Sequence, residues 1–179
     1  MAKVSKISPC LWFDSQAEQA AKFYVSIFED AGIDAVSYYG KEGFEQHGRK
    51  QGTVMTVAFH LAGQSFLGLN GGPIFKFSEA ISMQIACATQ AEIDFFWKKL
   101  SRGGEEGPCG WLKDKFGLSW QITPASLPAM MTDPDMEKRD RVMRAFLGMK
   151  KLHIATIQRA YAGSVQRKLP KRTPRRPAG

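Results

Sequence analysis

Ile7-Ser8-Pro9-Cys10-Leu11-Trp12-Phe13-Asp14-Ser15-Gln16-Ala17-Glu18 lies over Ile81-Ser82-Met83-Gln84-Ile85-Ala86-Cys87-Ala88-Thr89-Gln90-Ala91-Glu92 without a gap, at an offset of 74 residues. Five of the twelve positions are identical, Ile-Ser at the front and Gln-Ala-Glu at the back. Identity over so short a run carries little weight alone. The shared grammar carries more, because each copy reads as a short strand, a polar cap and the start of a helix. Ala17, Ala20, Phe23, Tyr24 and Ile27 in one copy, and Ile93, Phe96, Trp97 and Leu100 in the other, recur at the i, i+3, i+4 spacing of a helix that buries one face. Asp14-Ser15 and Thr89 stand where capping oxygens belong.

Strands follow each helix. After the first, residues 34–40 and 53–61 are rich in Val, Tyr, Phe and Thr, and Ala62-Gly63-Gln64 turns into a strand over 65–70 that Asn70-Gly71-Gly72-Pro73 stops. After the second, Gly103-Gly104 ends the helix, residues 110–115 form a strand, and Phe116-Gly117 turns into residues 118–123 before Pro124. The fold class is therefore α+β: two βαβββ modules, 1–74 and 75–124, joined through the linker 75–80 and forming a curled mixed sheet around a cavity. From Pro124 the pattern turns helical. Thr132-Asp133-Pro134-Asp135 is a start signal, and Val142, Met143, Phe146, Leu147, Leu152, Ala155 and Tyr161 supply apolar faces for one bent helix or two, giving a C-terminal helical extension over 125–163.

Alternation along a strand assigns faces. Leu11 and Phe13, with Met83, Ile85 and Cys87 at the matching parity, belong under the helices. The opposite parity carries Ser8, Cys10 and Trp12, and Ser82, Gln84 and Ala86. A tryptophan on a half-polar sheet face is costly to leave in water, so this face reads as a cavity wall or an interface. The most distinctive run, Cys109-Gly110-Trp111-Leu112-Lys113-Asp114-Lys115-Phe116-Gly117, permits two readings: a structural hairpin with solvated lysines, or a hairpin whose Cys109 and Trp111 join Gln121 in lining a ligand cavity.

Charge narrows the possible partners. The chain has 179 residues and a net charge of +8, from 25 Lys and Arg against 17 Asp and Glu. Six of the basic residues (Arg167, Lys168, Lys171, Arg172, Arg175 and Arg176) fall in residues 164–179, which hold no acid, so the rest is nearly neutral. That Pro-rich, basic segment is expected to be a disordered tail that aids solubility rather than a nucleic-acid-binding arm. No apolar run approaches the ~20 residues of a membrane span, and Met-Ala-Lys-Val-Ser-Lys lacks the apolar core of a secretory signal, so a cytoplasmic, non-membrane protein is expected. Three widely spaced cysteines, Cys10, Cys87 and Cys109, fit neither a disulfide framework nor a paired-ligand zinc site.

The duplicated grammar, Phe23-Tyr24, Asn70-Gly71-Gly72-Pro73 and the run from Cys109 through Leu118-Ser119-Trp120-Gln121 resemble the PhnB-like branch of the vicinal oxygen chelate superfamily. Glyoxalase I, bleomycin-resistance proteins and extradiol dioxygenases share that superfamily. Many proteins of the branch carry the label 3-demethylubiquinone-9 3-methyltransferase-like. The likeness runs from about Ile7 to Gly163. It implies sheets curled around a cavity, usually completed in a homodimer, and metal ligands, His or Glu, on the first and fourth strands of each half. Carried over, those positions fall on Ser8, Gly68, Ser82 and Gln121, to within one residue on each strand. None is a His or a carboxylate, so no metal is expected there. His47, His60 and His153 read as surface or capped residues, and no spacing argument joins His60 to Glu45 or Glu79.

The methyltransferase label is not supported as a mechanism, because the Gly71-Gly72 and Gly103-Gly104 pairs end a strand and a helix. A glycine-rich turn for S-adenosylmethionine would lie between a strand and a helix. The expectation is a small-molecule-binding protein without cofactor, its ligand held by Trp12, Asn70, Ser82, Gln84, Trp111 and Gln121. The alternative is a glyoxalase- or dioxygenase-like enzyme, using either a divalent metal on a non-standard ligand set or Cys109 as nucleophile.

Overall fold

A computed structural model describes residues 6–163, so the basic segment 164–179 lies outside the described residues. The two copies of the aligned stretch become β1 (Cys10–Phe13) leading to α1 (Ala17–Val25), and β5 (Met83–Cys87) leading to α3 (Gln90–Leu100). After α1 come β2 (Ala31–Tyr38), a single turn of helix α2 (Phe44–His47), β3 (Val54–Leu61) and β4 (Gln64–Asn70). After α3 come β6 (Glu105–Glu106), β7 (Trp111–Lys113) and β8 (Ser119–Pro124).

The sheets run β1-β4-β3-β2 and β5-β8-β7-β6. In each, the first strand lies parallel to the fourth, and the remaining pairs are antiparallel. Two four-stranded mixed sheets result, each the product of one βαβββ unit, and they do not close into a barrel. The second strand of the second unit, Glu105–Glu106, was not foreseen, because two glutamates have no strand preference; they pair because they lie opposite Lys113 and Leu112.

Both helices bury their stripes in one core. Leu11, Phe13, Val57, Phe59 and Leu61 of the first unit join Leu112, Trp120 and Ile122 of the second around Tyr24, which is fully buried. The Tyr24 ring lies 5.5 Å from Trp120 and 6.0 Å from Phe116, so α1 packs on the opposite unit as well as on its own. Gly68 lets α1 approach β4, since a Cβ there would sit 3.2 Å from the Cβ of Ala17. The expected parity holds for Leu11, Phe13 and Cys87, which are buried, while Met83 and Ile85 are only half-buried.

The two helices start differently. Thr89 caps α3 as expected, accepting from the Glu92 amide at 3.2 Å. At α1 neither Asp14 nor Ser15 caps. Instead Asn70, from the end of β4, accepts the Ala17 amide at 2.8 Å, and Asp14 pairs with Arg49 at 2.9 Å.

The C-terminal extension is α4 (Leu127–Met131), α5 (Met136–Leu147) and α6 (Ile154–Ala162), so the two longer segments are separate helices. Asp135 caps α5, accepting from Glu137 and Lys138. Leu127, Val142, Leu152 and Ile157 form a second, smaller core. The loop between α5 and α6 clips onto the second sheet: the carbonyls of Met149 and Lys150 accept the amides of Cys109 and Gly110, both at 2.7 Å.

Candidate functional site

The faces turned away from the helices hold most of the polar candidates. On the second sheet, Gln84 stands beside Gln121, and Gln121 beside Trp111, in one cross-strand row. The Gln121 Nε2 donates to Ser82 Oγ at 2.8 Å, so Ser82, Gln84, Trp111 and Gln121 form one patch. The next row joins Glu105, Lys113 and Ser119. Beside the patch lies a cleft of about 340 Å³, whose lining includes Trp111, Lys113, Ser119, Glu79, Glu105 and Glu106.

The expected solvation of Lys113 is half right. Its Nζ lies 2.6 Å from Glu79, a pairing that holds the Glu79 carboxyl below and the Lys113 amine above their ordinary ranges. Glu106 accepts the Trp97 indole N–H at 2.8 Å.

On the first sheet Trp12 is half-buried and fixed. Its Nε1 donates to the Gly72 carbonyl at 2.8 Å, its ring meets Phe75 edge-on at 5.0 Å, and it leaves no space at Gly71, where a Cβ would lie 2.2 Å from the indole. Trp12, Phe75, Phe77, Lys76 and Phe116 help line a second cleft of about 370 Å³. This cleft and the one at Trp111 share Lys113.

Two other candidates stand elsewhere. Asn70 is 6% exposed and lies on the helix side of its sheet, beside Phe13. Its amide caps α1 and donates to the Val54 carbonyl at 3.0 Å, and its own carbonyl accepts the Tyr39 hydroxyl at 2.6 Å. It is thus engaged in the fold rather than turned to the open face. Cys109 has a left-handed backbone, φ 57°, and no described residue hydrogen-bonds its thiol. Cys87 is buried, which pushes its thiol up to about 11.

Sequence reasoning missed Asp114, although it lies in the most distinctive run. It is 2% exposed and accepts four hydrogen bonds: from Tyr24 Oη and Trp120 Nε1, both at 2.8 Å, and from the amides of Phe116 and Leu118 at 2.8 and 3.1 Å. Desolvation outweighs those donors and raises its pKa. Ser119 was missed too. A lone serine in a strand gives no sequence signal.

A family model described as 3-demethylubiquinone-9 3-methyltransferase matches residues 5–123, more than half of the chain. The chain belongs to this family. It is the PhnB-like branch of the vicinal oxygen chelate superfamily. A solved PhnB protein from Bacillus cereus is 35% identical over 68% of this chain and all of its own, with a TM-score of 0.59. A solved protein from Pseudomonas aeruginosa, 15% identical over 68% of this chain and 98% of its own, has a TM-score of 0.54 and so shares the fold. None of the curated proteins compared matches the chain.

The strand register narrows one carried-over position within its one-residue margin. Cys10 pairs with Leu67 as Gln84 pairs with Gln121, so the first unit's counterpart of Gln121 is Leu67; Gly68 is buried under α1. A shift of one residue exchanges the faces of a strand. The open-face donors at the superfamily's positions are then the hydroxyls of Ser8 and Ser82 and the amide of Gln121, with a leucine at the fourth. A hydroxyl and an amide already bonded to each other do not fit a divalent ion that wants anionic or imidazole ligands. His60 lies 2.9 Å from Asp34, away from Glu45 and Glu79, and among the described residues no three His, Cys, Asp or Glu side chains are grouped to hold a metal.

Proposed function

We propose that this PhnB-like protein is a small-molecule-binding protein that holds its ligand over the second sheet, without the superfamily's metal ion and as a homodimer. The observation that carries the reading is the patch of Ser82, Gln84, Trp111 and Gln121 at the edge of the Trp111 cleft: a flat aromatic wall beside amide groups suits recognition of a partly apolar ligand. Trp12 supplies a second aromatic wall in the neighbouring cleft. Asn70 contributes indirectly, by fixing the start of α1.

Methyl transfer from S-adenosylmethionine gains no support. The β1–α1 and β5–α3 connections, Asp14-Ser15-Gln16 and Ala88-Thr89, contain no glycine to bring backbone close to a cofactor. Exposed Phe75 in the linker, with Ile74 and Ile81 at its two ends, favours coverage by a second copy. Among the described residues no helix is long and apolar enough to cross a membrane.

The test is a fragment screen followed through the NMR signals of Trp111, Gln84 and Gln121, with elemental analysis of the untagged protein. Fragments should shift these signals together, W111A should abolish the effect, and metal should be well below one ion per chain. Stoichiometric zinc, nickel, iron or manganese would overturn the metal-free reading; hits that bypass the three residues would overturn the location. Light scattering at micromolar concentration should give twice the chain mass, and a monomer would remove the dimer.

A further inference from the structure

The Trp111 cleft has a chemical bias beyond its shape. It is lined by three carboxylates, Glu79, Glu105 and Glu106, against one lysine. Lys113 is neutralised by Glu79 at 2.6 Å, and one oxygen of Glu106 is occupied by the Trp97 indole N–H. Glu105, exposed and opposite Lys113 in the β6–β7 register, is attracted to that lysine, but its carboxylate makes no hydrogen bond or ion pair with any described residue.

Two strands away in the same row stands Ser119, also in the lining, 1% exposed and with an Oγ that is buried and makes no hydrogen bond. A buried hydroxyl without a partner is costly, and a ligand group that bonds it recovers that cost. The third element is Trp111, whose ring face attracts cations.

We infer, on the reading that this cleft binds a small molecule, that its ligand is a primary amine. The ammonium group lies over the row between Glu105 and Ser119, where the intervening Lys113 is held by Glu79, and the apolar part rests on Trp111. Several observations converge on that class. An anion would add to the surplus of carboxylates over the one lysine, and a neutral group would leave that surplus unbalanced. A quaternary ammonium would satisfy Trp111 and Glu105 but offers no N–H to the Ser119 oxygen. A primary ammonium has three donors, one each for Ser119 and Glu105 and one for water.

The experiment titrates the full-length protein at low salt with three probes of one size: 2-phenylethylammonium, 2-phenylethanol and phenylacetate. Calorimetry gives affinity, and the NMR signals of Trp111, Ser119 and Gln121 give location. The amine should bind about ten-fold more tightly than either other probe, and E105Q should bring it down to the level of the alcohol. S119A should weaken the amine several-fold while unfolding no more easily than the wild type, because its hydroxyl has no protein partner to lose. Equal affinities, a preference for phenylacetate, or an amine advantage that survives E105Q would overturn the inference. If the alcohol shifts Trp111 and Gln121 and the amine binds no better, the cation assignment fails and the binding face stands. If no probe perturbs the face, both fail.

Discussion

Asp114 makes four hydrogen bonds with the two oxygens of one buried carboxylate, and its Oδ2 alone takes the Tyr24 hydroxyl and the Trp120 indole. An asparagine must place an NH₂ against some of these donors. The Tyr24 hydroxyl can turn to accept, but the indole N–H cannot. D114N should therefore lower stability by about 2 kcal/mol in chemical denaturation, the cost of leaving buried polar groups unmatched. The pH dependence has a definite sign. Burial raises the folded pKa of Asp114, so the folded state holds its proton more tightly than the unfolded chain. The stabilisation linked to that proton is complete below the ordinary carboxylate range and is lost as pH rises through the raised value. The advantage of wild type over D114N should shrink as pH rises from about 4, and a widening gap would refute this sign. The sequence displayed Asp114 in plain view, flanked by lysines, yet its role was illegible: its partners stand 90 residues back on α1 and six residues ahead on β8.

Element boundaries and faces were readable wherever local chemistry decides them. The stripes of α1 and α3 and the Thr89 cap are local and lie where the spacing placed them, and α5 starts at the end of the Thr132–Asp135 signal, capped by Asp135. The start of α1 is the exception: Asp14 and Ser15 are suitable caps by type, but a side chain 53 residues away does the work. This separates two roles for amide side chains. N70A should cost about 1–2 kcal/mol and leave the affinity of a cleft-bound probe unchanged, because it removes a cap and a clamp on Val54. Q121A should weaken the probe at nearly unchanged stability. Thermal melts and probe titrations on both variants check the pair, and a crossed result would reassign Asn70 to the site. Strand parity points to Ser82, Gln84 and Gln121, and Trp111 belongs to one of two readings of the Cys109–Gly117 run; β7 and β8 place it beside Gln121. The Glu105–Ser119 row was not legible, because it depends on β6, a strand that only its neighbour specifies.

For the whole molecule, the family match ends at residue 123 and the helices that follow add a second core. Gln90 is the junction. Its amide donates to the Leu152 carbonyl at 3.2 Å and accepts the Ile154 amide at 2.9 Å, fastening the extension to the start of α3. Q90A should loosen the extension before it touches the sheets. In hydrogen exchange the amides of Val142 and Ile157 should lose protection while Phe59 and Ile122 keep theirs. Uniform loss across the chain would mean that the two cores unfold as one.

The bond between Tyr24 and Asp114 also bears on how the chain is made. At about 5–20 residues per second, ribosomes finish the first sheet at Asn70 several seconds before they deliver Asp114. Through that interval Tyr24 has a hydroxyl without its acceptor and a ring without its tryptophan neighbour. The nascent chain therefore presents a sticky half-molecule to its surroundings, and a codon-level slowdown between residues 71 and 114 would lengthen its exposure to chaperones and to premature pairing with a neighbouring nascent copy.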